Sequence, residues 1–439
     1  MRALLLAAAT ALVLALAPAA STSSGHRPSD VRFATFNLSL NRAAAGQLVD
    51  HLSHPEVNDV FRAQARNTAE VIQRARPDIL LINEFDFAPA AVDLYRDNFL
   101  EVSQNGATPI HYPYAYIAPS NTGIPSGKDL FNDGSVGGPN DAFGFGFFPG
   151  QFGMVVYSKY PIDHRRIRTF QLFRWKDMPG ALLPDDPRTA APADWYSPDE
   201  LEIFRLSSKS HWDIPIQIHG KTVHFLTSHP TPPVFDDPGP FQPHIPAGVD
   251  FNGKRNHDEI RLWADYISGG KRSRYIYDDA GQRGGLEPGA RFVIAGDQNS
   301  DPLDGDSIPG AIQQLIEHPH VNTRTTPQSA GAVEAASLQG GANATHRSDP
   351  RYDTADFSDI APGNLRADYV LPRRSMKITN SAVFWPLRSD PFFRLTGVFD
   401  NRAYPAGWNG VGGFPTSDHR LVWVDVKVQG GNEDDDDDD

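Results

Sequence analysis

Six short stretches of this 439-residue chain each bring a chemically capable side chain to the end or the entrance of an apolar run. RFVIAGDQNSDP, residues 291–302, runs into a glycine and then sets Asp297 and Asn299 one residue apart. DILLINE ends at Glu84, VRFATFN at Asn37 and VHFLTSH at His229, while LRADYVL carries Asp368 and FPTSDHRLVWV opens on Asp418-His419. Taken singly, each is ordinary: Asp-x-Asn after a strand is a common turn, and a lone histidine is usually structural. As a set they combine carboxylates, amides and imidazoles. Hard cations such as Mg²⁺ prefer carboxylate and amide oxygens. A carboxylate can hold or deprotonate water, and a histidine bonded to a carboxylate has a fixed tautomer and easier access to its cationic form.

Such a set works only if the fold gathers it. Residues 31–37 read as a strand. VFRAQARNTAEVIQRARPD follows from Val60 with amphipathic helical spacing, stopped before Pro77, and residues 79–82 form a compact apolar strand. Strand, helix, strand predicts layered α/β packing. Further strands are expected over 112–117, 153–158, 292–295, 366–371, 378–384 and 421–428, with a hairpin pairing 214–218 with 222–227. A helix is expected over 259–267. Three irregular insertions, 119–150, 177–200 and 230–250, are rich in Gly, Pro, Asn and Asp, and loops of that length are uncommon unless functional or disordered. No repeat and no linker divides the chain, so residues 31–428 read as one domain with long loops.

The ends differ from this body. Residues 1–19, MRALLLAAATALVLALAPA, have one arginine, an apolar run and small residues for cleavage, which predicts a signal peptide and a secreted or cell-surface protein. Residues 431–439 finish in EDDDDDD, which holds half of the net charge of −14, and a disordered tail is expected. There is no cysteine, which excludes thiolate metal sites and cysteine nucleophiles. Acidity argues against a non-specific nucleic-acid coat, though not against a local positive cleft. No later stretch is apolar enough to span a bilayer. FGFGFFPG, residues 143–150, is aromatic, yet no amphipathic hairpin suited to membrane insertion stands out.

In order along the chain, FATFN, INE, FGMVVYSKYPI, TSHP, GDQNSDP, RADYVLP and SDHRLV resemble the endonuclease/exonuclease/phosphatase superfamily of DNase I-like proteins, in a secreted bacterial-type form. The resemblance covers roughly residues 31–428. It implies a four-layer α/β sandwich with two central, mainly antiparallel β-sheets and an active site at one rim. It further implies that Glu84, Asn37 and Asp418 form the metal region and that Asp297 orients or deprotonates the attacking water. Asn37 and Asn299 would contact phosphate, Asp368 would orient His419, and His229 would be the second active-site histidine. Asn37 also begins an Asn-Leu-Ser glycosylation sequon, a poor acceptor at a strand end inside a cleft.

The implied reaction is Mg²⁺-dependent phosphoester hydrolysis, with Mn²⁺ as a substitute and Ca²⁺ as a supporting ion. DNA, RNA or nucleotides are the leading substrates, and small extracellular phosphoesters are the alternative. A binding protein on the same scaffold would have lost core residues, and none is lost. No obligate protein partner is evident. Two basic stretches could add phosphate contacts: Lys209 and His211 in RLSSKSHWD, and Arg255 and His257 in FNGKRNHDEIR, the latter read as a loop or a solvated turn before a helix.

Overall fold

The computed structural model describes residues 30–240, 242–397 and 413–428. The expected signal peptide and acidic tail lie outside these residues. The strands are β1 (Asp30–Leu40), β2 (Ile79–Phe85), β3 (Tyr114–Tyr116), β4 (Met154–Ser158), β5 (Arg168–Thr169), β6 (His211–Ile218) and β7 (Lys221–Ser228). They continue with β8 (Arg291–Asp297), β9 (Ala355–Asp356), β10 (Asn364–Leu365), β11 (Asp368–Pro372), β12 (Ile378–Val383) and β13 (Val422–Lys427). The helices are α1 (Gln47–Ser53), α2 (Val60–Ala75), α3 (Pro89–Tyr95), α4 (Pro198–Leu201), α5 (Phe251–Ser268), α6 (Gln313–Ile316) and α7 (Ala330–Gln339).

Two sheets carry the core. One has the order β12-β13-β1-β2-β4-β3, the other β11-β8-β7-β6-β5. Each has a single parallel pair, β1 with β2 and β7 with β8, and is otherwise antiparallel. Side-chain alternation along the strands produces the layers. Val31, Phe33, Ile79 and Leu81 of the first sheet pack with Phe225, Val293, Ala295 and Val370 of the second. The intervening residues point outward: Ala34, Phe36, Leu80 and Ile82 meet Ala65, Ala69 and Ile72 of α2. On the other side, Leu226 and Ile294 meet Ile260 and Trp263 of α5. Helix, sheet, sheet and helix make the expected four layers.

Helix α2 matches its sequence pattern. Asp59 caps it by accepting the Arg62 N–H at 2.8 Å, a contact of about 1 kcal/mol. Arg76 closes it in the left-handed region at φ 57°, and Pro77 forbids another turn. Helix α5 departs from expectation by starting at Phe251, eight residues earlier. Its first turns bury Arg255, Asn256, Asp258 and Glu259, so they resemble a polar loop in sequence while packing as a helix. The loop 119–150 is pinned by bridges between Thr122 and Gly144 and between Pro125 and Ala142.

Candidate active site

The row of side chains between the sheets turns polar at one rim. Asn37 continues the parity of Val31 and Phe33, and Asp297 that of Val293 and Ala295. His229 continues Phe225, and Asp368 precedes Val370 on the same face. A hydrophobic pattern that folds the core therefore also aims four functional groups into one gap. Glu84 has the opposite parity. Its backbone lies in the left-handed region at φ 57°, where non-glycine residues are uncommon. Its Oε1 accepts a hydrogen bond from Asn37 Nδ2 at 3.1 Å. The strained residue is the one whose carboxylate must be redirected into the site.

Asp297 is the hub. Its Oδ2 accepts from Asn37 Nδ2 at 3.2 Å, its Oδ1 from the Asn299 N–H at 2.9 Å, and His229 Nε2 lies 3.3 Å from Oδ2. His419 Nε2 faces the same oxygen at 3.5 Å. The other nitrogen of that ring, Nδ1, is 2.9 Å from Asp368 Oδ2, which also accepts from Thr354 Oγ1 at 2.9 Å. Asp297, Asp368 and His419 each bring one ligand atom within 4.8 Å of the others, the spacing of a candidate metal-binding group. With Nδ1 committed to Asp368, the ring presents Nε2 towards Asp297 Oδ2 and the gap.

The charges sort by environment. Burial alone would push Asp297 up, but His419, the His229 hydrogen bond and the Asn299 N–H outweigh it and hold its pKa far below the ordinary carboxylate range. His419 is raised well above its usual value, because Asp368 and Asp297 overcome its burial. Burial raises Asp368 to about 6 against the pull of His419. His229 falls to about 4 through burial and the nearby Lys209, and its Nδ1 has no hydrogen-bond partner. Glu84 rises to about 7, by burial first and then by the charge of Asp418, with Asp297 adding to it. A carboxylate raised by burial and by its carboxylate neighbours, in a donor set of hard oxygens, fits a divalent cation. Glu84 and Asp418 are the side chains that would hold it. Asp418 Oδ1 lies 3.4 Å from Ser39 Oγ. Asn37 presents its amide N–H groups to both carboxylates, and its oxygen accepts the Ser39 N–H at 3.1 Å. In this orientation it positions Glu84 and Asp297, where the sequence suggested an oxygen ligand.

The outer contacts divide. Lys209 is buried beside the cluster, with Nζ 3.5 Å from the Pro230 carbonyl. Its pKa is lowered by burial and supported by Glu259, Glu84 and Asp297. Asn299 donates Nδ2–H to that same carbonyl at 3.1 Å, which leaves its amide oxygen for other partners. The other three basic groups have structural partners and are not brought to the cluster. His211 is buried, with Nδ1 2.6 Å from Ser207 Oγ and Nε2 2.9 Å from the Glu259 carbonyl. Arg255 donates to the carbonyls of Leu206, Phe143 and Arg205. His257 pairs with Asp258. The expectation that 251–261 forms a phosphate-facing loop is corrected: it is helix, and Arg255 ties the loops behind the site.

Three residues that sequence reasoning passed over hold the site together. Asn83 Oδ1 accepts the Asp297 N–H at 3.2 Å and lies 3.3 Å from Thr35 Oγ1, stapling one sheet to the other. Glu259 accepts the Ser208 and Thr231 N–H groups, each at 2.6 Å. Asn256 donates to the carbonyls of Thr231 at 2.8 Å and Gln298 at 2.9 Å. Asn256, Glu259 and Trp263 lie on one face of α5 at i, i+3 and i+7 spacing, and Trp263 Nε1 reaches Ser228 Oγ at 3.0 Å. Only this spacing, polar residues in register with a buried tryptophan, could have signalled the clamp.

Fold and site together define a phosphoesterase of the layered α/β type, and comparison gives the same answer. Residues 34–419 match the Endonuclease/Exonuclease/phosphatase family, and the chain belongs to it. It is a hydrolase of the phosphoesterase/nuclease type. Among solved structures it is similar to an endonuclease/exonuclease/phosphatase from Beutenbergia cavernae DSM 12333, at 16% identity over 91% of this chain and 72% of that one, with a TM-score of 0.44. It is also similar to beta toxin from Staphylococcus aureus (15% identity, 90% and 99% covered, TM-score 0.40). Sphingomyelinase C from Streptomyces griseocarneus is a third (12%, 90% and 99%, 0.39). Likeness at this level says nothing about substrate. None of the curated proteins compared with the chain matches it.

Proposed function

We propose that this chain is a secreted, divalent-metal-dependent phosphodiesterase. The observation that carries the reading is Asp297, held ionised between His229, Asn37 and a cationic His419. Secretion rests on the N-terminal sequence alone.

In this reading Asp297 Oδ2 accepts a hydrogen bond from the attacking water and orients it, and the water's proton passes to solvent as the new P–O bond forms. His419, cationic and aimed by Asp368, donates from Nε2 to a phosphoryl oxygen on which charge grows. Lys209 adds a buried positive charge on the same side, and Asn299 offers its amide oxygen to the water. Glu84 and Asp418 would hold Mg²⁺, which would supply polarisation of a phosphoryl oxygen and neutralisation of developing negative charge. The ester P–O bond breaks, and the leaving alkoxide is protonated from solvent. A monoester and an alcohol result. A track for a polyanionic backbone needs several basic contacts, whereas Arg255, His211 and His257 are engaged within the fold. The geometry thus supports engagement of one phosphodiester group.

The test is a substrate panel on the purified mature protein: bis-p-nitrophenyl phosphate, p-nitrophenyl phosphate, plasmid DNA, single-stranded DNA and RNA, each with Mg²⁺, Mn²⁺ or EDTA. The expected result is cleavage of the diester with Mg²⁺ and its loss in EDTA. Undiminished turnover after chelation, or turnover of the monoester alone, overturns the proposal.

A further inference from the structure

The strand ends opposite the catalytic rim carry the reverse charge. β8 opens at Arg291 and reaches the rim at Asp297, while β11 runs back from Asp368. The Arg373 N–H still bonds to the Phe292 carbonyl at 2.9 Å, which brings the following Arg374 level with Arg291. Val223 of β7 is the register partner of Arg291, and Lys221 opens that strand. In the other sheet Lys427 pairs with Asp30, and its N–H bonds to the Lys377 carbonyl at 3.0 Å. His219, in the β6–β7 turn, joins the two sheet ends, with Nδ1 3.1 Å from the Val428 carbonyl. Arg291, Arg374 and Lys377 are exposed, and Lys221 and Lys427 are partly so. Among the described residues none of these five side chains has a hydrogen-bond or ion-pair partner. The buried carboxylates at this end are engaged: Asp425 with Arg32, Asp78 with Lys159 and Asp30 with Thr379. Cations gathered without a counter-charge repel one another.

We propose that residues 433–439, EDDDDDD, are the counter-charge of this basic pole: they dock on it and screen it from other polyanions. The inference stands apart from the phosphodiesterase reading. The described chain reaches Val428 at this same pole, where its carbonyl meets His219. Residues 429–432, QGGN, are all that separate it from Glu433, and four extended residues span at most about 14 Å. The acidic run is therefore delivered beside Lys221, Arg291, Arg374 and Lys377. Its consecutive carboxylates match a cluster of unpaired cations in sign and in number. One exposed ion pair is weak, but a short tether makes each encounter intramolecular, and many pairs then act together. No fixed fold of the segment is needed, since charge alone supplies the contact. The catalytic rim is the poorer partner, because Glu84, Asp297, Asp368 and Asp418 converge there.

The experiment is zero-length carbodiimide cross-linking of the purified mature protein, mapped by peptide mass spectrometry. It is run at about 0.01 M and about 1 M salt, where the screening length falls from about 30 Å to about 3 Å. Residues 433–439 should cross-link to Lys221 and Lys377 at low salt, with a yield at least about tenfold lower at high salt. An Arg291→Glu, Arg374→Glu variant keeps both lysines and the tether, so it separates charge from nearness. Both arginines lack side-chain partners among the described residues, so the variant should fold, as calorimetry checks, and its low-salt yield should fall about tenfold. Absence of these cross-links in wild type, or an equal yield in the variant, overturns the proposal. Screening is read with polyphosphate as the probe. Deletion of 433–439 should tighten polyphosphate binding at least about tenfold at low salt, and the two charge reversals should cancel the gain. Equal binding with and without the segment overturns the proposal as well. Turnover of soluble bis-p-nitrophenyl phosphate should be unchanged by the deletion. A rise in turnover without cross-links at Lys221 and Lys377 puts the acidic run at the catalytic mouth and overturns the proposal.

Discussion

Asp368 is the register partner of Asp297 across the antiparallel pair of β11 and β8. Two carboxylates placed side by side on neighbouring strands would repel. The His419 ring stands between them, 2.9 Å from one and 3.5 Å from the other. The pairing of two strands thus creates the electrostatic need that a cationic histidine meets.

Replacing Asp368 with Asn keeps the shape and removes the charge that aims and sustains His419. Turnover of a soluble diester should fall by about 10²–10³-fold, the usual loss when a preorganised charge is removed. Thermal unfolding of the variant should match wild type within a few degrees. Steady-state kinetics beside calorimetry check both.

The clamp on α5 predicts a different signature. Glu259→Gln leaves one acceptor oxygen where two N–H groups now bond to a carboxylate. The expected cost is about 1–3 kcal/mol of stability, together with a lower kcat, since Ser208 adjoins Lys209 and Thr231 lies two residues from His229. Denaturant unfolding measures the first effect and diester turnover the second.

Gly144→Ala places a methyl group 1.8 Å from the Ser208 carbonyl oxygen, so backbone must move. Overpacking of this kind costs about 1–3 kcal/mol, and the shift reaches Lys209. Gly239→Ala, with nothing within 4 Å of the added carbon, serves as the neutral control in the same melting series.

Outside the site, Asp353 predicts a pH dependence of stability. It is buried, its Oδ1 has no hydrogen-bond partner, and burial followed by Asp301 and Asp304 pushes its pKa up to about 9. The unfolded value is about 3.9. Between these limits the folded state keeps a proton that the unfolded state releases, so this group's contribution falls as pH rises from about 4 to about 9. Asp353→Asn removes that loss. Its melting temperature should exceed wild type at pH 8, and the gap should narrow towards pH 4. A constant gap across that range contradicts the assignment.

Much of this site was legible in the sequence for one physical reason. In a sheet buried on both faces, apolar runs end where the strand reaches the rim, so a polar residue that ends such a run marks the rim. Asn37, His229, Asp297 and Asp368 were found that way, and the ordered motifs added Glu84 and Asp418-His419. The helix α2 was readable because its apolar spacing and its proline stop agree. The start of α5 was not, because its buried face is made of Arg255, Asn256 and Glu259, which propensity and hydropathy assign to solvent. Asn83 was hidden inside an apolar strand, and its task of joining two sheets depends on partners distant in sequence. The left-handed backbone at Glu84 leaves no trace in composition. The phosphate contacts weighed for His211, Arg255 and His257 stand against partners within the fold, because basic character does not say which way a side chain turns.

The central claim is that ionised Asp297 activates water for cation-dependent phosphodiester hydrolysis. Its most direct measurement is the Mg²⁺-supported turnover of bis-p-nitrophenyl phosphate by Asp297→Asn, with folding checked by calorimetry. The account predicts a folded variant whose kcat falls by about 10²–10³-fold, the usual loss when a preorganised charge is removed. A folded variant with turnover within a few-fold of wild type contradicts it.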